Sequence, residues 1–282
     1  MAALTDPDDE QIYVVYQPQL DLRTGRTTAV ECLVRWKHPV IGELGPDTFI
    51  PMAESTSLID LLMRRVLTLG LAQCAAWERD GLTVDLAVNV SARQLSDLTL
   101  PETVAELLSQ SGVCPSRLLL EVTETRLMSD PERSMDILGR LQALDVAISI
   151  DDFGTGYSSL SYLQRLAVDE RKIDRSFITA LHEPGNATIV RSTIEAGHNL
   201  GLRVVAEGVE DQASADLLGE MGCDMLQGFY IGRPGRAGQA LAQLRAGQTG
   251  SRPSAVEPRI AVPEQPLLPP NAHHLDESRV TV

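Results

Sequence analysis

Short runs of β-branched and apolar residues alternate along this chain with longer stretches in which apolar residues recur every three or four positions. Residues 12–17, 27–34, 86–90, 118–122, 147–150, 168–173, 203–206 and 225–230 read as strands. Residues 57–77, 100–110, 131–144, 158–165, 187–200 and 212–221 carry helical spacing between them. Pro101 and Pro131 suit first-turn positions, and Gly112 and Gly201 suit helix stops. The alternation is that of βα units on a parallel sheet. The link between the first two strands, with Asp-Leu-Arg-Thr-Gly at 21–25, is too short for a parallel crossover, so they should form a hairpin through Gly25. Eight strands, seven parallel and one reversed, predict an α/β fold of modified TIM (β/α)₈ barrel type with one antiparallel strand. A doubly wound open sheet has the same strand count and stays open as the alternative.

After about Leu244 the apolar periodicity fades and prolines multiply, at 253, 258, 263, 266, 269 and 270. The expected organisation is a lead-in over residues 1–11, a barrel over 12–245 and a Pro-rich disordered tail over 246–282. With 282 residues the chain has room for one such barrel. The formal net charge of −15 argues against nucleic acid or an anionic membrane surface as partner, so an anionic ligand would have to be held by metal ions or a few local cations. No apolar stretch is long and uncharged enough for a membrane span, and the acidic start is unlike a signal peptide, which predicts a cytoplasmic location. Cys32, Cys74, Cys114 and Cys223 lie far apart without metal-ligand spacing and read as buried free thiols.

In a barrel of this kind the C-terminal strand ends form the active-site mouth. Polar residues fall there repeatedly: Glu31, Asn89, Glu121 and Glu124, Asp151 and Asp152, Lys172 and Asp174, and Glu207 and Glu210. Taken singly, each is explained by a helix cap or a solvated loop; Asp151 and Asp152 could cap a helix beginning near Ser158. Together the carboxylates would repel one another unless cations neutralise them, and with no histidine among them they call for hard, oxygen-ligated ions such as Mg²⁺ or Mn²⁺.

The chain resembles the EAL-domain cyclic di-GMP phosphodiesterases from about Tyr13 to Pro234. The resemblance is carried by Tyr-Gln-Pro at 16–18, Glu-Cys-Leu-Val-Arg-Trp at 31–36, Phe-Ile-Pro-Met-Ala-Glu at 49–54 and Asn-Val-Ser at 89–91. It continues through Glu-Val-Thr-Glu at 121–124, Asp-Asp-Phe-Gly-Thr-Gly-Tyr-Ser-Ser-Leu at 151–160, Lys-Ile-Asp at 172–174, Glu-Gly-Val-Glu at 207–210 and Gln-Gly-Phe at 227–229. It implies hydrolysis of one phosphodiester bond of cyclic di-GMP to give linear pGpG, with two Mg²⁺ or Mn²⁺ ions side by side. By the same resemblance Glu31, Asn89, Glu121 and Asp151 ligate one ion, and Asp151 with Asp152 serves the second. Lys172 orients water or stabilises phosphate charge, and Glu207 is the general base or a second-metal ligand. Arg35 contacts phosphate; Gln17, Asp174, Glu210 and Gln227 belong to substrate binding, and Glu124 steadies the loop after Asp152. A homodimer is implied, with regulatory or GGDEF domains missing from this chain, which is either a stand-alone protein or the cytoplasmic end of a longer membrane protein.

Three departures stand out. Cys32 takes the place of the usual alanine of the signature triplet, Ala167 that of a proline, and Glu170 and Arg171 bring charge next to Lys172 where the family has an apolar residue. The alternative function is a catalytically silent cyclic di-GMP sensor, expected to lack a metal ligand or to have a degenerate 151–160 loop; a phosphodiesterase for other nucleotides or RNA ends needs the same two metals.

Overall fold

The computed structural model describes residues 10–56, 58–91, 93–127, 130–153 and 168–248, together with Leu4. The strands are β1 (Ile12–Asp21), β2 (Arg26–His38), β3 (Gly42–Leu44), β4 (Asp85–Asn89), β5 (Leu118–Thr123), β6 (Ala147–Phe153), β7 (Glu170–Ile173), β8 (Arg203–Ala206) and β9 (Met225–Gln227). Their order is β1-β9-β8-β7-β6-β5-β4-β2, and β1 also pairs with β2, so eight strands close on themselves. Closure excludes the open sheet. The reversed strand is β1, antiparallel to both neighbours, while β2 and β4 to β9 run parallel. The β1–β2 turn passes through Gly25, at φ 68° with its N–H on the Asp21 carbonyl at 2.8 Å, as the short link requires. β3 is a short antiparallel extension on the end of β2, outside the barrel and absent from the sequence reading.

The principal helices are α1 (Pro46–Ser55), α2 (Ile59–Arg79), α3 (Leu100–Ser111), α5 (Pro131–Ala143), α7 (Asn186–Asn199), α8 (Gln212–Glu220) and α9 (Ala237–Gln248), with short helices α4 (Glu124–Leu127) and α6 (Arg175–Thr179) at the barrel mouth. Six expected strands and the helices flanking them fall within a few residues of these bounds; the run at 168–173 contracts to Glu170–Ile173 and that at 225–230 to Met225–Gln227. The helix expected at 158–165 lies outside the described residues. α1 and α9 were not foreseen. Gly112 ends α3 in the left-handed conformation, and Asp130 and Asp211 cap α5 and α8 by accepting from Arg133 and Ser214 N–H groups.

α2 shows how the helical layer meets the barrel. Its buried residues Ile59, Leu62, Met63, Val66, Leu67, Gly70, Leu71, Cys74 and Trp77 recur at helical spacing on one face. At Gly70 a Cβ would stand 2.9 Å from Leu86 Cδ2 and 3.3 Å from Cys32 Sγ. Cys32 is therefore seated, buried, in the helix–sheet contact, a place its modest size suits. Cys74 and Cys223 are buried as expected, whereas Cys114 is exposed, a correction to the reading of four buried thiols. Among the described residues no helix is long and apolar enough to cross a membrane.

Candidate active site

Residues two apart on a strand share a face, so Glu31, Leu33 and Arg35 of β2 point one way while Cys32 and Val34 point to the helices. The parallel register sets Glu31 beside Ala87, Asn89 beside Glu121, Glu121 beside Ser149 and Thr123 beside Asp151. That staircase brings donors from separate strands to one end of the barrel. At its centre stands Lys172 of β7, with a fully buried side chain. Its Nζ lies 2.8 Å from Glu121 Oε1, 3.9 Å from Glu31 Oε2, and in close ion-pair contact with Glu207.

Hydrogen bonds fix the rest. Asn89 Nδ2 donates to Glu31 Oε1 at 2.7 Å and Gln227 Nε2 to Glu31 Oε2 at 2.5 Å. Gln227 also donates to Gln17 Oε1 at 3.2 Å and accepts from Gln19 Nε2 at 2.8 Å. Gln19, not singled out in the sequence, thus orients the glutamine that orients Glu31.

One lysine shared among several carboxylates cannot neutralise them all, and their proton affinities diverge accordingly. Burial would raise Glu31, but Lys172 and the hydrogen bonds from Gln227 and Asn89 hold it below the usual carboxylate range. Burial lifts Glu121 well above that range, with Lys172 opposing and Glu31, Asp151 and Glu207 adding to the rise. Glu207 is pushed up to about 7, chiefly by burial, again against Lys172. Lys172, although burial disfavours its charge, is held well above its ordinary value by Glu121, Glu207, Glu31 and Asp151.

Above this floor opens a cavity of about 210 Å³ lined by Gln17, Glu31, Asp151, Glu207, Glu210 and Gln227, all expected site residues. Leu33, Arg175, Gly208, Gly228 and Phe229 complete its wall and were missed. Arg175 lies flat against Gly208, where a Cβ would come 2.4 Å from Arg175 Cγ, and approaches Glu210 Oε1 at 3.5 Å. Phe229 carries the Arg233 guanidinium 4.1 Å from its ring centroid. A second, mostly apolar cavity of about 470 Å³ runs between the outer faces of β2 and β4 and helices α1 and α2, reaching Leu33, Asn89 and Thr123.

Other expected residues are placed differently. Asp174 caps α6, accepting from Ser176 N–H at 2.9 Å. Arg35 donates from Nη1 to its neighbour's carbonyl, Val34 O, at 2.8 Å. Glu124 is buried at the start of α4 and does not line the 210 Å³ cavity. Asp152 belongs to β6, and its side chain, like most of the 151–160 loop, lies outside the described residues.

The loops after β8 and β9 are locked together, which sets Glu207 against Gln227. Val209 N–H donates to Gln227 O and Tyr230 N–H to Val209 O, both at 3.0 Å. A Cβ at Gly228 would stand 2.1 Å from the Val209 carbonyl oxygen, a backbone atom that cannot rotate away. Gly228→Ala is expected to cost about 3 kcal/mol and lower the Tm by several degrees. A thermal melt superposable on that of the wild type would show that the two loops slide freely.

Whether divalent ions fit rests on the donor set. Among the described residues no three His, Cys, Asp or Glu side chains form a ready-made cage. Glu31, Asn89, Glu121 and Asp151 nonetheless converge, oxygen-rich and in anionic excess, with one lysine shared among the carboxylates. Asn89 spends its Nδ2 on Glu31 and so keeps Oδ1 for an ion. Hard cations fit this set.

A closed barrel with one reversed strand and carboxylates on β2, β5, β6 and after β8 around a buried lysine defines a class, and the chain belongs to it: the EAL domain family model matches residues 2–234. Among curated relatives, the chain is 45% identical over 237 residues to the bifunctional diguanylate cyclase/cyclic di-GMP phosphodiesterase MucR of Pseudomonas aeruginosa, covering 83% of this chain and 34% of MucR. It is 39% identical over 227 residues to the cyclic di-GMP phosphodiesterase PA2567 of the same organism, covering 80% of this chain and 39% of that one. The chain thus spans about a third of the length of these relatives. A solved MucR phosphodiesterase structure in complex with c-di-GMP superposes with a TM-score of 0.78 at 44% identity, covering 82% of this chain and 94% of that one.

Proposed function

We propose that this domain hydrolyses cyclic di-GMP to linear pGpG with the help of two divalent cations, Mg²⁺ or Mn²⁺. The observation that carries the proposal is the 210 Å³ cavity in which Gln17, Glu31, Asp151, Glu207, Glu210 and Gln227 stand over the buried Lys172–Glu121 pair, in a member of the EAL family. Glu31, Asn89, Glu121 and Asp151 would hold one ion and Asp151 with Asp152 the second. When bound, the ions polarise the phosphoryl oxygens and acidify a water molecule.

The chain's own residues do the rest. Lys172, kept protonated by its carboxylates, offers a fixed positive charge at the floor of the cavity, where charge on the phosphate or on the attacking water is stabilised without reorganisation. Glu207, in contact with Lys172 and lining the cavity, is within reach of the attacking water, and a proton affinity close to neutrality suits a general base. Gln227 and Gln19 hold Glu31 in one rotamer. Arg35, on the Glu31 face of β2, is the fork-shaped donor for the non-reacting phosphate. Glu210 accepts from a guanine Watson–Crick edge, and the exposed Phe229 ring offers a stacking face. Cyclic di-GMP of extended form then lies across Leu33, which lines both cavities.

In its cellular setting the domain acts as part of a homodimer on the cytoplasmic side, beside regulatory or GGDEF domains; its span of about a third of MucR, a protein named for both cyclase and phosphodiesterase activity, supports that reading. The test is incubation of the purified chain with cyclic di-GMP and Mg²⁺ or Mn²⁺, with chromatographic separation of the products. Metal-dependent pGpG that disappears in EDTA is expected. Tight binding without product would replace the enzyme with a sensor.

A further inference from the structure

The turn that follows β9 closes on its own hydrogen bonds: Gly228 O accepts from Ile231 N–H at 3.1 Å and from Gly232 N–H at 3.0 Å. Residues four apart across such a turn stand on one side of it. That spacing sets the Arg233 guanidinium over the Phe229 ring, with Cζ 4.1 Å from the centroid, well within cation–π distance. Among the described residues no carboxylate pairs with Arg233, and the ring is where its charge rests.

The two residues are not held alike. The Arg233 carbonyl accepts from Gln243 Nε2 of α9 at 3.3 Å, and the Gly232 carbonyl accepts from Gln17 Nε2 of β1 at 3.3 Å. A Cβ on Gly232 would stand 2.5 Å from Pro18 Cγ, and Ile231 is buried in the apolar cluster that holds Val209 and Leu226. The backbone that carries Arg233 is therefore fixed from β1 and α9. Phe229, by contrast, is 45% exposed at the rim of the 210 Å³ cavity. A half-exposed ring exchanges among rotamers, and a ligand that stacks on it bears the loss of that freedom. Arg233 does not line the cavity, so its guanidinium covers the ring from the far side and leaves the cavity side open. A cation on one face holds the ring in place and draws π density from the other, which suits an electron-rich purine base.

We propose that Arg233 is a positioning residue that acts through Phe229, so that guanidinium, ring and guanine form a three-layer stack at the rim of the cavity. The inference rests on the reading of Phe229 above as a stacking face for the ligand. Arg233 itself touches no part of the ligand, unlike Arg35, whose assigned place is at a phosphate.

The test compares the wild type with Arg233→Met, Arg233→Lys, Phe229→Leu and the Phe229→Leu/Arg233→Met double variant in the full chain. Three quantities are read: Kd for cyclic di-GMP by calorimetry in EDTA at low and high KCl, KM and kcat with Mn²⁺, and Tm. Arg233→Met, which keeps the stem and removes the charge, should weaken binding about three- to fivefold, in Kd and KM alike. Arg233→Lys should stay within about twofold of the wild type, and Phe229→Leu should lose about tenfold or more. In the Phe229→Leu background, Arg233→Met should cost nothing further, because the ring through which it acts is gone. Kd should depend on KCl with the same slope in Arg233→Met as in the wild type, whereas a direct phosphate contact would flatten it. Wild-type affinity in Arg233→Met, a further loss in the double variant, a flattened salt slope, or a fall in kcat or Tm alone would overturn the stack and leave the phosphodiesterase reading intact. A wild-type chain that neither binds nor hydrolyses cyclic di-GMP would overturn both.

Discussion

Glu121→Gln should reduce turnover by more than about a hundredfold while leaving the metal-free protein at least as stable as the wild type. Loss of an outer-sphere partner alone costs 10–100-fold in a metalloenzyme, and Glu121 is assigned as a ligand itself. Stability runs the other way because of where the carboxylate sits. Its side chain is wholly buried, it shares a single lysine with Glu31 and Glu207, and the Asp151 charge adds to the repulsion. Without an ion its charged form is disfavoured, and glutamine has the shape and neutrality of its protonated form. In EDTA at pH 7.5 the variant should melt at the wild-type temperature or a few degrees above it, a gain of about 1 kcal/mol. Mn²⁺ should reverse the order, raising the wild-type Tm more than that of the variant. A variant that is less stable in EDTA and keeps its turnover would remove Glu121 from the metal site.

The staircase of donors was legible in the sequence because strand ends in a parallel barrel all point to one mouth: Glu31, Asn89, Glu121, Asp151, Lys172 and Glu207 could be read off as polar residues closing apolar runs. Barrel closure was not legible from periodicity; it depends on β1 pairing with both β2 and β9, and only the short link through Gly25 hinted at the reversal. β3 has three residues and α1 contains Pro51, so neither carries a periodic signal. The cavity wall was missed at Leu33 because an apolar residue inside a strand gives no sign of lining a site, and at Arg175 and Phe229 because their approach depends on single close contacts, Gly208 under Arg175 and Gly228 against Val209. Glu170 and Arg171 looked out of place in a strand next to Lys172. β7 is buried on both faces, and Glu170 meets its own counter-charge, Arg203, at 2.9 Å on the inner face. The register slip of β6 against β7 between Ile150 and Phe153 leaves no mark in the sequence beyond the adjacent Asp151 and Asp152, which also fit a helix cap.

Lys172→Met should abolish measurable turnover and make stability steeply dependent on pH. The wild-type lysine is the cation among Glu121, Glu207 and Glu31, and removing one partner of a buried ionic group costs about 3–5 kcal/mol. That cost falls on the ionised carboxylates, so its sign follows from their proton affinities. Glu207, lifted to about 7, and Glu121, lifted further by burial, bind a proton more tightly folded than unfolded. The stability this brings is fully present below the unfolded glutamate value of 4.5 and is lost as pH rises through about 7. Lysine opposes both upward shifts; without it they grow, and the loss extends to higher pH. In EDTA, Lys172→Met should therefore melt near the wild-type temperature at pH 5 and far below it at pH 8. A divalent ion supplies the missing charge, so Mn²⁺ should restore most of the Tm at pH 8 without restoring turnover, because the ion replaces the lysine as counter-charge but not as the fixed donor at the cavity floor. Parallel wild-type and variant melts from pH 5 to pH 8 in EDTA would mean that Lys172 is not the internal counter-charge of the site.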